Sequence, residues 1–368
     1  MKDSKLTKSI MAVIAITVLA MPAATASAQV SKETLESIET PDQVETSIGT
    51  LNFMDGAPSP ETAQKVYDYL DTMRGVDAFM KGMRGASMRA MMNGARSIGA
   101  VEAHQVYIFD KLMDSRSLYL TANTSTVYCF PDVDLERDGP IVLEVPTGML
   151  GGFNDAWFQY VEDIGPFGPD KGKGGKFLLL PPGYEGAVPD GYFVVRSGTY
   201  NVWIFLRASI AKGIDVAVKN VKDNFRIYPL SKKDNPPEME FISASGKSFN
   251  TIGANTFKFY EDLNDVIQKE PLDMLDPETR GLFASIGIVK GKPFAPDARM
   301  KKIVTDAVAI GIATARSILL YPRTERTLKG FVFYPGAISG WIMGYLDKNV
   351  FFNGDDGKTM NSDARVSM

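Results

Sequence analysis

Residues 175–207 read GKFLLLPPGYEGAVPDGYFVVRSGTYNVWIFLR, and this stretch decides the fold. Three apolar runs are separated by Pro, Gly, Asp and Ser, the residues that end strands and form turns. Leu178-Leu179-Leu180 and Val202-Trp203-Ile204-Phe205-Leu206 are apolar at consecutive positions, so both alternating faces of these strands need cover. Residues 176–180, 192–196 and 202–206 are therefore predicted strands. Outward from them, residues 126–130, 141–145 and 156–161 carry the same signal, spaced as one β layer.

The flanks change period. Ser59-Pro60 reads as a helix start, a capping hydroxyl followed by a ring lacking only an N–H that the first turn cannot use. Val66, Tyr69, Leu70, Met73, Val76 and Met80 recur at three- and four-residue steps and predict an amphipathic helix. Met83, Met88, Met91 and Met92 continue it, but Gly82, Gly85, Gly94 and Gly99 predict a short or kinked second helix. His104 is expected on a helix surface. Beyond the strands, Ile214, Val218, Val221 and Phe225 form one stripe, Asn255 is the expected cap of a helix ending at Glu270, and Asp276-Pro277 starts another. Residues 300–320 are expected to form the longest helix. Helices, then strands, then helices predict an α+β fold, an antiparallel β-sandwich-like sheet domain with a helical subdomain.

The expected division is a signal peptide (1–28), a lead-in segment (29–57), an N-terminal helical segment (58–117), a β-rich core (118–207), a helical subdomain (208–327) and an apolar segment with a polar tail (328–368). Lys2, Lys5 and Lys8 precede the apolar run 10–24, and Ala26-Ser27-Ala28 has the small residues a signal peptidase needs. That run is interrupted by Pro22 and falls short of the roughly 20 apolar residues of a spanning helix, so no stable span is expected after cleavage. The expected location is the periplasm or the medium. The apolar run 331–345 is broken by Pro335, Gly336, Gly340 and Gly344; it cannot span a bilayer either, and its need for cover predicts a homo-oligomer or another partner chain.

Composition bounds the chemistry. In 368 residues, 45% hydrophobic and 23% charged, a large core can be buried. Forty Lys and Arg against 44 Asp and Glu, with no basic block, argue against nucleic acid as partner. A single His and a single Cys exclude a Cys/His zinc site and an internal disulfide. Cys129, in an apolar stretch, reads as a small buried hydrophobe.

Several longer stretches resemble a known family. They are GPDKGKGGKFLLLPPGY (168–184), VPDGYFVVRSGTYNVWIFLR (188–207), DGPIVLEVP (138–146), IYPL (227–230), DNPPEMEFI (234–242), SGKSFNTI (245–252) and KGKPFAPDARMKKI (290–303). Together they resemble the bacterial proteins with the domain of unknown function 1254 (DUF1254), over residues 53–365. The resemblance implies a β-sandwich-like sheet domain with a helical subdomain, and no agreed catalytic residue. Family members usually continue into a second unit, DUF1214, which would begin where this chain stops, so a separately encoded DUF1214-like chain is an expected partner.

Two constellations stand out. Asp155, Trp157, Tyr160, Glu162 and Asp163 combine carboxylates with aromatics, as glycan binding or hydrolysis does. Strand alternation places Trp157 opposite Tyr160. Residues 165–176 then pack five glycines, three lysines, two prolines and Asp170 together, a composition suited to an anion. Phe167 stands where a phosphate loop needs its first Gly, and Gly174 where it needs a hydroxyl. Candidate ligand-binding residues are Trp157, Tyr160, Asp170, Lys171, Lys173 and Lys176; candidate acids are Asp155, Glu162 and Asp163. No cofactor or metal is expected: Asp132, Asp134, Glu136 and Asp138 alternate, but Arg137 and Leu143 break a calcium-loop pattern, which leaves a solvated turn. The expected function is binding of an unknown small ligand or of a partner, with a carboxylate-based hydrolase or lyase acting on a small polar or glycan-like substrate as the alternative. Sequencing the N-terminus of the exported protein should give Gln29 first; a chain starting at Met1 in the envelope fraction would refute the leader.

Overall fold

The computed structural model describes residues 30–114, 118–119, 123–320, 332–333 and 341–342. The expected leader lies outside the described residues, as does the 331–345 segment apart from two short paired strands. The chain divides into two units, Met1–Lys65 and Val66–Met368.

In the first unit, α1 (Lys32–Ile38) is capped by Ser31, whose hydroxyl accepts from the Thr34 N–H. It is followed by an antiparallel meander of β1 (Gln43–Thr46), β2 (Gly49–Met54) and β3 (Ala57–Pro58). The Thr62 hydroxyl accepts from the Asn52 N–H at 2.8 Å, and Lys65 Nζ donates to the Thr50 carbonyl at 2.7 Å.

Helix α2 (Pro60–Ser97) starts where Ser59-Pro60 predicts, with the Ser59 hydroxyl accepting from the Thr62 N–H. Then come β4 (Gln105–Ile108), β5 (Thr126–Asp134), α3 (Leu135–Asp138), β6 (Ile141–Val145), β7 (Met149–Asp155) and β8 (Tyr160–Ile164). They are followed by β9 (Gly175–Leu180), β10 (Phe193–Arg196), β11 (Asn201–Ser209), α4 (Ile214–Asn224), β12 (Arg226–Pro229) and β13 (Glu240–Ser243). Helices α5 (Lys258–Lys269), α6 (Pro277–Ser285) and α7 (Ala298–Leu320) precede β14 (Val332–Phe333) and β15 (Trp341–Ile342).

The fold is α+β. One sheet has the order β13-β4-β5-β11-β7-β8 and another β10-β9-β6-β12. Pairing is antiparallel except at two edges, where β13 joins β4 and β10 joins β9 in parallel. The sheets share a core in which Val127, Cys129, Phe153, Ile204 and Leu206 pack with Ile141, Leu143, Phe177 and Leu179, and Val221 and Phe225 from α4 and its end. Each such side chain contributes about 1.5–3 kcal/mol by leaving water. Cover on both faces holds for β9: Phe177 and Leu179 face that core, while Leu178 and Leu180 pack with Val142 and Tyr228 behind. The second face of the larger sheet is aromatic, with Tyr107, Phe109, Tyr128 and Phe130.

The structure differs from the sequence reading at six places. The longest helix is α2, with 38 residues, and not the 300–320 helix, which as α7 has 23. Helix α2 runs through its glycines without a break, because they are contact points: a methyl on Gly75, Gly82 or Gly85 would sit 2.7 Å from Ala307, 2.6 Å from Leu263 or 2.6 Å from the Trp157 ring. Gly99, at φ +104°, ends the helix, so His104 lies in the turn before β4 and not on a helix. Residues 156–159 form a turn between β7 and β8 instead of a strand. Strand β7 escapes a propensity reading because it holds Gly151 and Gly152, and a methyl on Gly151 would collide with the Phe205 carbonyl of the neighbouring strand. Asn255 does not cap α5, whose N-cap position is Phe257. A methyl on Gly94 would meet the Asn250 backbone, so Gly94→Ala should cost about 1–3 kcal/mol in chemical denaturation. Gly281→Ala, on α6 with open space around it, should gain up to ~1 kcal/mol by helix propensity; equal effects would refute the packing role.

Candidate functional site

The Gly-rich loop closes on its own carboxylate. Asp170, only 4% exposed, accepts the Gly165 N–H on one oxygen at 2.7 Å and the Gly174 N–H on the other at 3.1 Å. Gly165, Gly172, Gly174 and Gly175 take positive φ, as does Lys171, a chain path that glycine permits at low cost. Asp170 thus occupies backbone donors that an anion would use. Lys171 and Lys173 are exposed, and Lys176 pairs with Glu144 at 2.9 Å, a carboxylate that also accepts from Tyr228 Oη at 2.7 Å.

Asp155 and Trp157 are equally committed. Asp155 Oδ1 accepts the Trp157 and Gln159 N–H groups, each at 2.8 Å, which shapes the β7–β8 turn. Trp157 is 1% exposed and stacks on Phe283 at 6.4 Å among the helices. Tyr160 is 41% exposed, so the two aromatics line different surfaces. Glu162 and Asp163 both reach the Tyr160 hydroxyl, at 3.3 and 3.4 Å, where the register against β7 shifts between Phe153 and Asn154 and a bulge re-aims side chains. Their oxygens therefore lie within the roughly 10 Å that carboxylate-pair hydrolysis spans. Burial, and then the Glu162 charge, pushes the Asp163 carboxyl above its ordinary range.

Strand register brings other groups to the same side of the sheet. Trp203 pairs with Asp132 on β5 and with Asn154 on β7, which in turn faces Tyr160. Phe205 lies beside Gly152, and Gly152 beside Asp163. Gly152 admits close neighbours: a methyl there would lie 3.1 Å from the Glu162 carbonyl, 3.5 Å from Asp163 Oδ1 and 3.6 Å from the Phe205 ring. Trp203 stacks on Phe205 at 5.1 Å and approaches Phe158 at 5.6 Å and Phe130 at 6.1 Å. The Arg207 guanidinium sits 5.3 Å from the Phe205 ring centre and 5.4 Å from that of Tyr128. Trp203, Phe205, Arg207 and Phe158 are half-buried.

Two features of this face are energetically costly. Trp203 Nε1 and Arg207 Nε are buried without a hydrogen-bond partner among the described residues, and each such donor costs about 1–3 kcal/mol. Phe158 holds φ +58°, a left-handed conformation that strains a bulky residue by about 1–3 kcal/mol. The sequence reading missed Asn154, Trp203, Phe205 and Arg207 as site residues. The signal was there: along VWIFLR the aromatics and the guanidinium occupy one alternating set and the aliphatics the other, although all five of residues 202–206 are apolar.

Electrostatics also overturn the solvated-turn reading of the 132–138 acids. Asp132 is 2% exposed and pairs with Arg96 at 3.2 Å; burial pushes its carboxyl up. Asp134 caps α3 and accepts from Lys269 at 3.0 Å. The His104 carbonyl, not its ring, makes the contact that positions β13, accepting the Glu240 N–H at 3.0 Å. Among the described residues no group of three or more His, Cys, Asp and Glu side chains is placed to hold a metal, and no helix is long and apolar enough to cross a membrane.

Comparison with known proteins bears on the sheets. A family described as "Protein of unknown function (DUF1254)" matches residues 103–229, from the turn before β4 to the end of β12. No curated protein matches the chain. The crystal structure of the VPA0106 protein from Vibrio parahaemolyticus is similar at 17% identity and TM-score 0.47, covering 68% of this chain and 59% of its own. An uncharacterized protein from Burkholderia cenocepacia is similar at 11% identity and TM-score 0.25, covering 48% and 52%. The chain thus spans 59% and 52% of the solved structures it resembles. Asp170→Asn, which keeps only one acceptor for the two N–H groups, should lower stability by about 1–3 kcal/mol; unchanged denaturation midpoints would show that the loop does not need the carboxylate.

Proposed function

We propose that this chain, which carries a DUF1254 domain, is a binding protein for a small polyhydroxylated, glycan-like ligand held on the aromatic face of β11, β7 and β8. The observation that carries this reading is the pair of unsatisfied buried donors, Trp203 Nε1–H and Arg207 Nε–H, beside rings that offer flat apolar faces. A sugar ring presents C–H groups to an aromatic face and hydroxyls at its edge. Stacking on Trp203 and Phe205, with hydroxyls accepting from the two donors and donating to Asp163, Glu162 and Asn154, would satisfy all of them. The left-handed Phe158, whose N–H closes the β7–β8 turn on the Asp155 carbonyl at 3.0 Å, presents its ring beside Trp203 and so adds to the same aromatic surface.

The reading includes export: the basic start, apolar run and Ala26-Ser27-Ala28 support removal of residues 1–28 and a periplasmic or secreted location. It needs no cofactor. A homo-oligomer or a DUF1214-like chain as partner belongs to the same proposal, supported by the apolar composition of residues 331–345.

The second reading is a hydrolase or lyase, favoured by one observation, the Glu162 and Asp163 carboxylates sharing the Tyr160 phenol with the Asp163 carboxyl pushed up, as a general acid requires. Asp155, spent on two backbone N–H groups, takes the weaker part. Titration of tryptophan fluorescence with a panel of mono- and oligosaccharides tests both. Binding should weaken at least tenfold in Trp203→Ala and in Phe158→Gly, while Phe158→Gly melts at or above the parent temperature because glycine relieves the strain. No response to any sugar would end the binding reading. New reducing ends, absent in Asp163→Asn, would move the assignment to hydrolysis.

A further inference from the structure

A second feature involves different atoms. Arg89 and Arg96 from α2, Asp265 and Lys269 from α5, and Asp134 and Asn201 at the ends of β5 and β11 line an open cleft of about 350 Å³, within the range of small-molecule sites. Each of its cations already has an acid: Arg89 pairs with Asp265 at 3.1 Å, Arg96 with Asp132 at 3.2 Å, and Lys269 with Asp134 at 3.0 Å as well as with Glu136. A ligand with only negative or only positive charge would gain one set of groups and face repulsion from the other.

The cleft nonetheless leaves both a donor and an acceptor unused. Arg89 Nε is a buried donor without a partner among the described residues, and Asn201 Oδ1 is a buried acceptor in the same state. Asn201 is 6% exposed, and its orientation is dictated from behind. Glu270, 1% exposed, accepts Asn201 Nδ2–H at 2.6 Å together with the Tyr200 and Asn201 backbone N–H groups. A carboxylate cannot donate to Oδ1, so the amide nitrogen must face Glu270 and the oxygen is left for another donor. Lys290 Nζ donates to the Gln268 and Glu270 carbonyls at 3.0 and 2.7 Å, which holds the end of α5 that supplies Lys269. Asp132 Oδ1, on the carboxylate that Arg96 binds, is a further acceptor without a partner among the described residues.

We propose that this cleft binds a zwitterion of the α-amino acid or dipeptide class. Its carboxylate accepts from the fork of Arg89, a geometry suited to planar carboxylates. Its ammonium donates to Asn201 Oδ1 and balances the Asp134 charge. Exchange of a zwitterion for water leaves the net charge of the cleft unchanged, whereas a carboxylate or an amine alone does not. Asn201 shares its side of β11 with Trp203 and Arg207, but the atoms that would hold the zwitterion are not those offered to the sugar.

Isothermal titration of the full chain with L-alanine and L-alanyl-L-alanine tests the proposal, with propionate, ethylamine and glucose as the partial probes. At least one of the two zwitterions should bind, at least tenfold more tightly than propionate or ethylamine. Arg89→Gln, and Arg89→Lys, which keeps the charge but loses the fork, should each weaken that binding tenfold or more with an unchanged circular dichroism spectrum; Trp203→Ala should leave it unaltered. Absence of heat with both zwitterions, equal binding of either half-molecule, or insensitivity to both Arg89 variants would overturn it. Glucose binding lost in Trp203→Ala, without zwitterion binding, would defeat this proposal and leave the aromatic-face reading standing.

Discussion

Strand β11 is hydrogen-bonded along both edges, to β5 and to β7, and this double pairing sorts its side chains. Val202, Ile204, Leu206 and Ala208 enter the core between the sheets. Asn201, Trp203, Phe205 and Arg207 must then emerge on the opposite side, since successive residues of a strand alternate. A slip of one residue would send an amide, an indole and a guanidinium into the apolar core. The register is therefore held by the aliphatic set, and the chemistry of the other set is placed by it. Both candidate sites draw on this strand, the aromatic face through Trp203 to Arg207 and the polar cleft through Asn201.

Helix α2 depends on a different constraint, close approach. Its glycines admit Ala307, Leu263, the Trp157 ring and the Asn250 backbone at distances that a methyl would forbid. Glycine weakens an isolated helix by about 1 kcal/mol at each position. Here that loss is offset by packing, because Phe79, Ala78 and Ala86 sit in a core with Phe259, Leu263, Phe283 and Val304. The same helix delivers Arg89 and Arg96 to the polar cleft.

Several carboxylates among the described residues are architectural. Asp170 closes the Gly-rich loop, Asp155 shapes a turn, Asp134 caps α3 and Glu270 anchors the start of β11. Burial outweighs the neighbouring donors and pushes the carboxyls of Asp132 and Glu270 up, while hydrogen bonds to Thr279 hold Asp276 below its usual range. Glu162 and Asp163 differ in spending their oxygens mainly on one another's surroundings and on an exposed phenol.

Local composition was enough to read the α+β class, the places of five of the six predicted strands, the Ser59-Pro60 start of α2 and the burial of Cys129. These follow from periodicity and capping, interactions between neighbours in the chain. Tyr160, Glu162 and Asp163 could be picked out because they adjoin in sequence. Tertiary structure alone decided that the glycines of α2 are contacts and not breaks, that Asp170 satisfies its own loop, that Trp157 belongs to the helices, and that Trp203, Arg207, Arg89 and Asn201 carry polar atoms with no partner among the described residues. Whether a donor finds an acceptor depends on groups tens or hundreds of residues away, and no local pattern contains that distance.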